Sequence, residues 1–177
     1  MNAFLELLRK RRSTRQFTDE PVGADTIRTL IDATFMAPSS KNTRSTRLAV
    51  ITDRELLGKL STMRPSGAGF VKDAPMAFAV MGDQTAADLW LDNCAISATV
   101  LQLAAESEGL ASCWVHVHGR PHTDDPADGT AEEYVRGLLG TPADYRILCL
   151  VAVGHPAATH KPHVPRDEDR EKVIYFR

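Results

Sequence analysis

Arg11, Ser13 and Arg15 alternate within Arg11-Arg12-Ser13-Thr14-Arg15, so an extended segment points all three side chains the same way. Two guanidinium forks with a hydroxyl between them make a cradle for an anion, because planar forks match phosphate oxygens in two-point contacts. Taken alone, such a basic run is more often a solvated turn. A second segment, Ala37-Pro38-Ser39-Ser40-Lys41-Asn42, supplies turn geometry and short hydrogen-bonding side chains. By itself it reads as a helix end and a loop. In a third, Gly109 to His118, a glycine separates an apolar helix from a strand that ends in two histidines. His116 and His118 stand at i and i+2, on one face of a strand, with His122 near. Without a carboxylate or a further fixed ligand the pair is too little for a metal, and none is expected. No G-x-S-x-G, P-loop or H-E-x-x-H is present, so neither a protein nucleophile nor a zinc-bound water is expected.

The elements that must position these residues follow from periodicity. Residues 2–11 read as a first helix with Asn2 as its cap. Residues 24–36 form a second, with Ile27, Leu30, Ile31, Thr34 and Phe35 on one stripe and Pro38 ending it. Residues 47–52 are a short strand, after which Thr52 and Glu55 have the spacing of a capping box for a further helix. Met76 to Met81 is apolar enough for a strand covered on both faces. Thr85 and Asp88 again have capping-box spacing, and they would open a central buried helix reaching Glu108, roughly 36 Å long at 1.5 Å per residue, with Gly109 as its stop. Ser112 to Val117 and Ile147 to Val153 are strands, and Thr130 to Leu139 is a short helix. The polar, turn-rich stretch 120–129 reads as a surface loop, with a lid over the substrate as the alternative. The tail after Gly154 is polar until a strand-like Val173-Ile174-Tyr175-Phe176. Such a tail has no core of its own, so it is expected to reach across to a partner. The mixture lacks a strict βαβ rhythm, which indicates an α+β fold.

Composition narrows the classes. A chain of 177 residues makes one domain, residues 1–177, with an arm from about 155 onward. With 43% hydrophobic residues, 25% charged residues and a formal net charge of −2, it is neither disordered nor basic enough for nucleic acid or an anionic membrane. Cys94, Cys113 and Cys149 form no CxxC pair and lie in apolar surroundings, as reduced thiols in a cytoplasmic protein would. No apolar signal-peptide core follows Arg9 to Arg12, and no uncharged apolar run reaches the ~20 residues of a membrane helix.

Taken in order, the motifs resemble those of the nitroreductase family of FMN enzymes. The resemblance rests on Arg11, Ser13 and Arg15; Pro38, Ser39, Ser40 and Asn42; Asp92, Ala95 and Ile96; Gly109, Leu110, Ser112, Cys113 and Trp114; and Gly154, Pro156, Lys161 and Pro162. It spans nearly the whole chain. It implies a nitroreductase-like α+β fold, a mostly antiparallel mixed sheet flanked by helices, and a homodimer that exchanges C-terminal arms and holds flavin at its interface. The implied activity is hydride transfer from NADH or NADPH through FMN to a small nitroaromatic, quinone or enone-like acceptor. By similarity, Arg11 and Ser13, with neighbouring Arg12, bind the phosphate and ribityl region, and Arg15 lies toward the pyrimidine edge. Lys161 and His163 would add basic groups near the phosphate. Trp114, Val115 and His116 would pass along the ring, with the His116 backbone N–H as the donor to flavin N5. Pro38, Ser39, Ser40 and Asn42 would reach a flavin held mainly by the other subunit. There are departures: Arg44, Ser45 and Thr46 replace a frequent Q-P-W, and a ring-side asparagine of the family falls around Gly67. These keep two alternatives open, a flavin-binding carrier or sensor without turnover and a reductive dehalogenase on the same fold.

Overall fold

The computed structural model describes residues 2–176. Five helices, α1 (Ala3–Lys10), α2 (Ala24–Phe35), α3 (Arg54–Leu60), α4 (Trp90–Ser107) and α5 (Ala131–Leu139), surround the strands β1 (Thr46–Ile51), β2 (Met76–Asp83), β3 (Ala111–His116) and β4 (Tyr145–Gly154). These strands form one sheet in the order β1-β2-β4-β3, and each of its ladders is antiparallel. The expected mixed character has a single local counterpart among the described residues, an isolated parallel bridge between Ser13 and Ser112.

Both faces of the sheet are covered. On one, Ala77, Ala79, Met81, Val115, Ile147 and Leu150 pack with Leu57 and Leu60 of α3 and Val135 of α5. On the other, Phe78, Val80, Cys149 and Val151 pack with Leu30 of α2 and with Cys94, Ala98 and Leu101 of α4. Two-sided burial explains the apolar runs in β2 and β4. A bulge interrupts the ladder where Val80 faces Cys149 but Met81 faces Ile147, so Leu148 is the extra residue. The Leu148 carbonyl then accepts from the N–H groups of both Val117 and His118, at 3.0 and 3.1 Å, and turns the chain out of the sheet just past β3.

The expected Asn2 cap holds, its side chain accepting Phe4 N–H at 2.9 Å, and the expected helix over 130–139 is α5, whose start Thr130 and Glu133 close with a capping box not anticipated from the sequence. Two caps differ. The side chain that closes the start of α3 is Asp53, accepting from Leu56 N–H at 2.7 Å, and not Thr52. The Asp83 carboxylate takes the Thr85 and Ala86 N–H groups and the Thr85 hydroxyl, so residues 83–86 close into a turn and α4 begins at Trp90. Its 18 residues span about 27 Å, not 36 Å. The tail is tied to α1 through His163 N–H and the Arg9 carbonyl at 2.7 Å, and residues 161–176 are exposed. Val173 to Phe176, expected to be strand-like, forms no strand within the chain, and a 3-10 turn, Asp167–Lys172, precedes it. Among the described residues no helix is long and apolar enough to cross a membrane.

Candidate functional site

Thr14 N–H donates to the Ser112 carbonyl at 3.0 Å, which lays residues 11–15 along the outer edge of β3. Alternation then divides the segment. Thr14 is buried, while Ser13 and Arg15 are exposed and Arg11 is half-buried. Arg12 turns with Thr14 to the other side, donates to the Lys161 carbonyl at 3.0 Å and lines a separate cavity with Lys10, Glu106 and His160. Arg12 thus leaves the backbone on the side opposite Ser13 and Arg15, although its charge still reaches His163. Arg11 approaches His163, with Nη2 and Nε2 3.5 Å apart. Loss of hydration, then the charges of Arg12 and Arg11, push the His163 imidazole below its usual pKa. Arg15 lies over the Phe70 ring, 5.7 Å from its centroid. Lys161 is exposed and joined to the strip through its backbone.

The edge of β3 supplies the second half. Val117 N–H points to β4, so the antiparallel alternation turns the N–H groups of Trp114 and His116 outward, to the side where residues 11–15 lie. The side chains of Trp114 and His116 stack, with centroids 6.1 Å apart and planes 12° apart, and Trp114 Nε1 donates to His116 Nδ1 at 3.4 Å. Burial first, and then the positive charge of Arg120, push the His116 imidazole down, so it is neutral at pH 7. The Val115 side chain is in the core and, by the same alternation, its N–H and carbonyl face β4, so the structure turns Val115 away from this edge.

Arg64 completes this edge, and the sequence reading missed it. Its Nη1 donates to the His116 carbonyl at 2.9 Å, while Nε and Nη2 both reach the Ser66 carbonyl. A Cβ placed on Gly67, whose φ is +77°, would lie 2.7 Å from Arg64 Nη2. The guanidinium occupies the space that a side chain at residue 67 would need. A cation beside a Ser-Gly turn was the one available sign.

Pro38, Ser39, Ser40 and Asn42 lie elsewhere. They lead into β1, at the opposite edge of the sheet from β3, three strand spacings or about 14 Å away. One chain does not bring them to the Arg11–His116 strip. Their loop is held in an unusual shape: Lys41, Asn42 and Arg44 have φ of 51°, 53° and 48°, the left-handed region that non-glycine residues avoid. Asn93, buried in α4, holds it by accepting Ser40 N–H at 2.8 Å and donating to Ser45 Oγ at 2.9 Å. Ser39 Oγ accepts Arg44 N–H at 3.0 Å. Asn93 was visible in the sequence as a polar residue on an apolar helix, but nothing local named its partner.

The remaining histidines have other duties. His118 meets Glu132 at 3.2 Å, and His122 stacks on Tyr134 at 4.0 Å while its Nδ1 lies 3.2 Å from the Met63 carbonyl. Stacked in this way, and bridged from Pro121 to Thr130, the 120–129 loop is packed against α5. The three cysteines are buried, and burial pushes the Cys94 thiol up to about 12, so they are not nucleophiles.

Comparison with known proteins gives concordant results. The nitroreductase family model matches residues 8–68 and 58–155. A Methanothermobacter thermautotrophicus protein, provisionally named NADH dehydrogenase/NAD(P)H nitroreductase, is 31% identical over 94% of this chain and 84% of its own length. An FMN-dependent nitroreductase from Clostridium difficile R20291 superposes with a TM-score of 0.89 at 33% identity, covering 97% of this chain and 98% of the other. A nitroreductase with bound FMN from Desulfitobacterium hafniense DCB-2 has a TM-score of 0.78 at 26% identity over all of both chains.

Proposed function

The chain belongs to the nitroreductase family, and from that premise we propose that it is an FMN-dependent NAD(P)H oxidoreductase acting on a small acceptor. The observation that carries this is the Ser13–Ser112 bridge, which sets a cationic strip and the outward N–H of His116 along one edge. The donor set fits FMN. Arg11, Ser13 and Arg15 face one way, and none of these arginines has a carboxylate within 4.0 Å among the described residues. An anion would offset the charges of Arg12 and Arg11, which add to loss of hydration in lowering the His163 pKa.

In this reading Arg11, Ser13, Lys161 and His163 hold the phosphate end, and Arg12 acts at a distance by fixing the Lys161 backbone. Arg15, steadied on Phe70, places positive charge at the pyrimidine edge, where a fixed cation stabilises the negative charge of reduction. The His116 N–H, held by the Arg64 clasp on its carbonyl, would be the donor to N5, and Trp114 would offer its backbone along the ring, whereas Val115 faces β4. When bound, FMN would supply the redox chemistry, a two-electron transfer from NADH or NADPH to a nitroaromatic, quinone or enone with the accompanying proton drawn from solvent. No side chain need act as nucleophile or general base.

The site is completed by a second copy. Pro38, Ser39, Ser40 and Asn42, remote from the strip in their own chain, reach it from a partner. Phe4, Leu5 and Leu8 of α1, Phe35 and Met36 at the end of α2, and Ile96 of α4 are exposed apolar side chains of the kind a subunit interface covers. Ile174 and Phe176, 76% and 94% exposed, would bury on that partner as the exchanged arm.

The deciding experiment is an anaerobic absorption spectrum of the purified protein before and after NADH or NADPH. Bleaching of a bound flavin band, reversed by a quinone, is expected. A colourless monomer that takes up no added FMN would refute the proposal, and a yellow protein left unbleached would identify a carrier or sensor.

A further inference from the structure

Immediately outside the β3 edge, Arg64, Pro65, Ser66, Arg120, Pro121 and Asp124 line a hollow of about 220 Å3. Its two arginines are in different states. Arg64 spends its guanidinium on the carbonyls of His116 and Ser66. Arg120 serves the fold through its backbone alone: its N–H donates to the Val117 carbonyl at 3.1 Å, and its carbonyl accepts Ala131 N–H at 2.9 Å. Its exposed guanidinium has no hydrogen bond and no ion pair among the described residues. Asp124 shares the hollow without pairing to it. Two guanidiniums against one carboxylate leave the hollow one net positive charge, next to the strand end assigned above to the reaction.

We infer that this hollow seats an oxyanion, carboxylate or phosphate, carried by one of the two substrates, with the Arg120 fork as its recognition element. A planar fork free of internal partners offers two parallel N–H donors to such a group, and Arg64, already anchored, adds field without moving. The inference rests on the proposed function for the location of the reaction, and it names the substrate class: an acidic acceptor, or NADPH through its 2′-phosphate in preference to NADH.

The test compares FMN-loaded wild type with Arg120→Ala and Arg120→Lys. Two ratios of kcat/KM are read: 4-nitrobenzoate over menadione with saturating NADH, and NADPH over NADH with menadione. At least one ratio falls about fivefold in Arg120→Ala, through KM, with partial recovery in Arg120→Lys, and the ratio that falls identifies the source of the oxyanion. Equilibrium dialysis of 4-nitrobenzoate and NADP+ reads the same loss without turnover, and Asp124→Asn tightens the ligand concerned. Unchanged ratios with unchanged binding overturn the inference, as does an equal loss for charged and uncharged substrates. A wild-type protein that takes up no FMN refutes the proposed function, whereas dialysis still decides the hollow.

Discussion

Around Glu132 the charges are matched inside the chain, whereas along Arg11, Arg12 and Arg15 they are not. The Glu132 carboxylate, 7% exposed, accepts from Arg146 Nε and Nη2 at 2.6 and 2.9 Å and from Ile147 N–H at 3.0 Å, with His118 Nδ1 3.2 Å away. Trp90 closes over the group, meeting His118 edge-on at 5.2 Å and the Arg146 guanidinium at 5.7 Å. The arginines of the strip meet carbonyls, an imidazole and an aromatic ring. The difference teaches what each region is for. A buried charge must be compensated at once, so the Glu132 cluster is structural and ties α5 to β4. Cations left at the surface without counter-charges cost little alone and remain available to an anionic ligand.

The largest effect that can break this comparison is on stability. Glu132→Ala should destabilise the protein by about 3–5 kcal/mol in urea unfolding, because Arg146 and the Ile147 N–H lose their partner. Its pH dependence has a definite sign. Burial would raise the Glu132 pKa, but the Arg146 fork, the Ile147 N–H and His118 outweigh it and hold the pKa below the ordinary 4.5. The stabilisation is therefore complete above pH 4.5 and disappears as pH falls through the lower folded value. Arg11→Ala should do the reverse: unfolding within about 0.5 kcal/mol of wild type, with FMN affinity about 10- to 100-fold weaker by dialysis. A flavin-replete Arg11→Ala protein would erase the contrast. Asn93→Ala comes next, at about 1–2 kcal/mol, because the left-handed Lys41–Arg44 loop loses its buried anchor.

The parts of the molecule readable from sequence are those whose cause is local. The α2 stripe, the Asn2 cap of α1 and the apolar β2 and β4 runs state their structure within a dozen residues. The Arg11–Ser13–Arg15 alternation was readable too, and the buried Thr14 between exposed neighbours bears it out. The start of α4 misled because Thr85–Asp88 spacing competes with an Asp83 turn, and both patterns use the same Thr85 hydroxyl. Arg64 and Asn93 act on groups 52 and 53 residues away, and no periodicity encodes such a distance. Glu132 stands beside Glu133 in the same first helical turn, and only the arrival of β4 separates the buried acid from the capping one.

The smallest predicted effect sharpens the comparison at the β3 edge. Gly67 has φ +77° and faces the Arg64 guanidinium, so Gly67→Asn combines a left-handed asparagine with a Cβ 2.7 Å from Arg64 Nη2. Asparagine tolerates that backbone better than other residues, which limits the loss of stability to about 1 kcal/mol. The flexible guanidinium must give way, and the His116 carbonyl loses its donor. If the Arg64 clasp is what fixes this edge, Arg64→Ala and Gly67→Asn remove the same contact, and their effects on unfolding and on His116 amide exchange should be less than additive in a double-mutant cycle. Additive effects would mean that Gly67→Asn acts independently of Arg64, leaving the guanidinium on the His116 carbonyl, and that the clasp is not what the asparagine displaces.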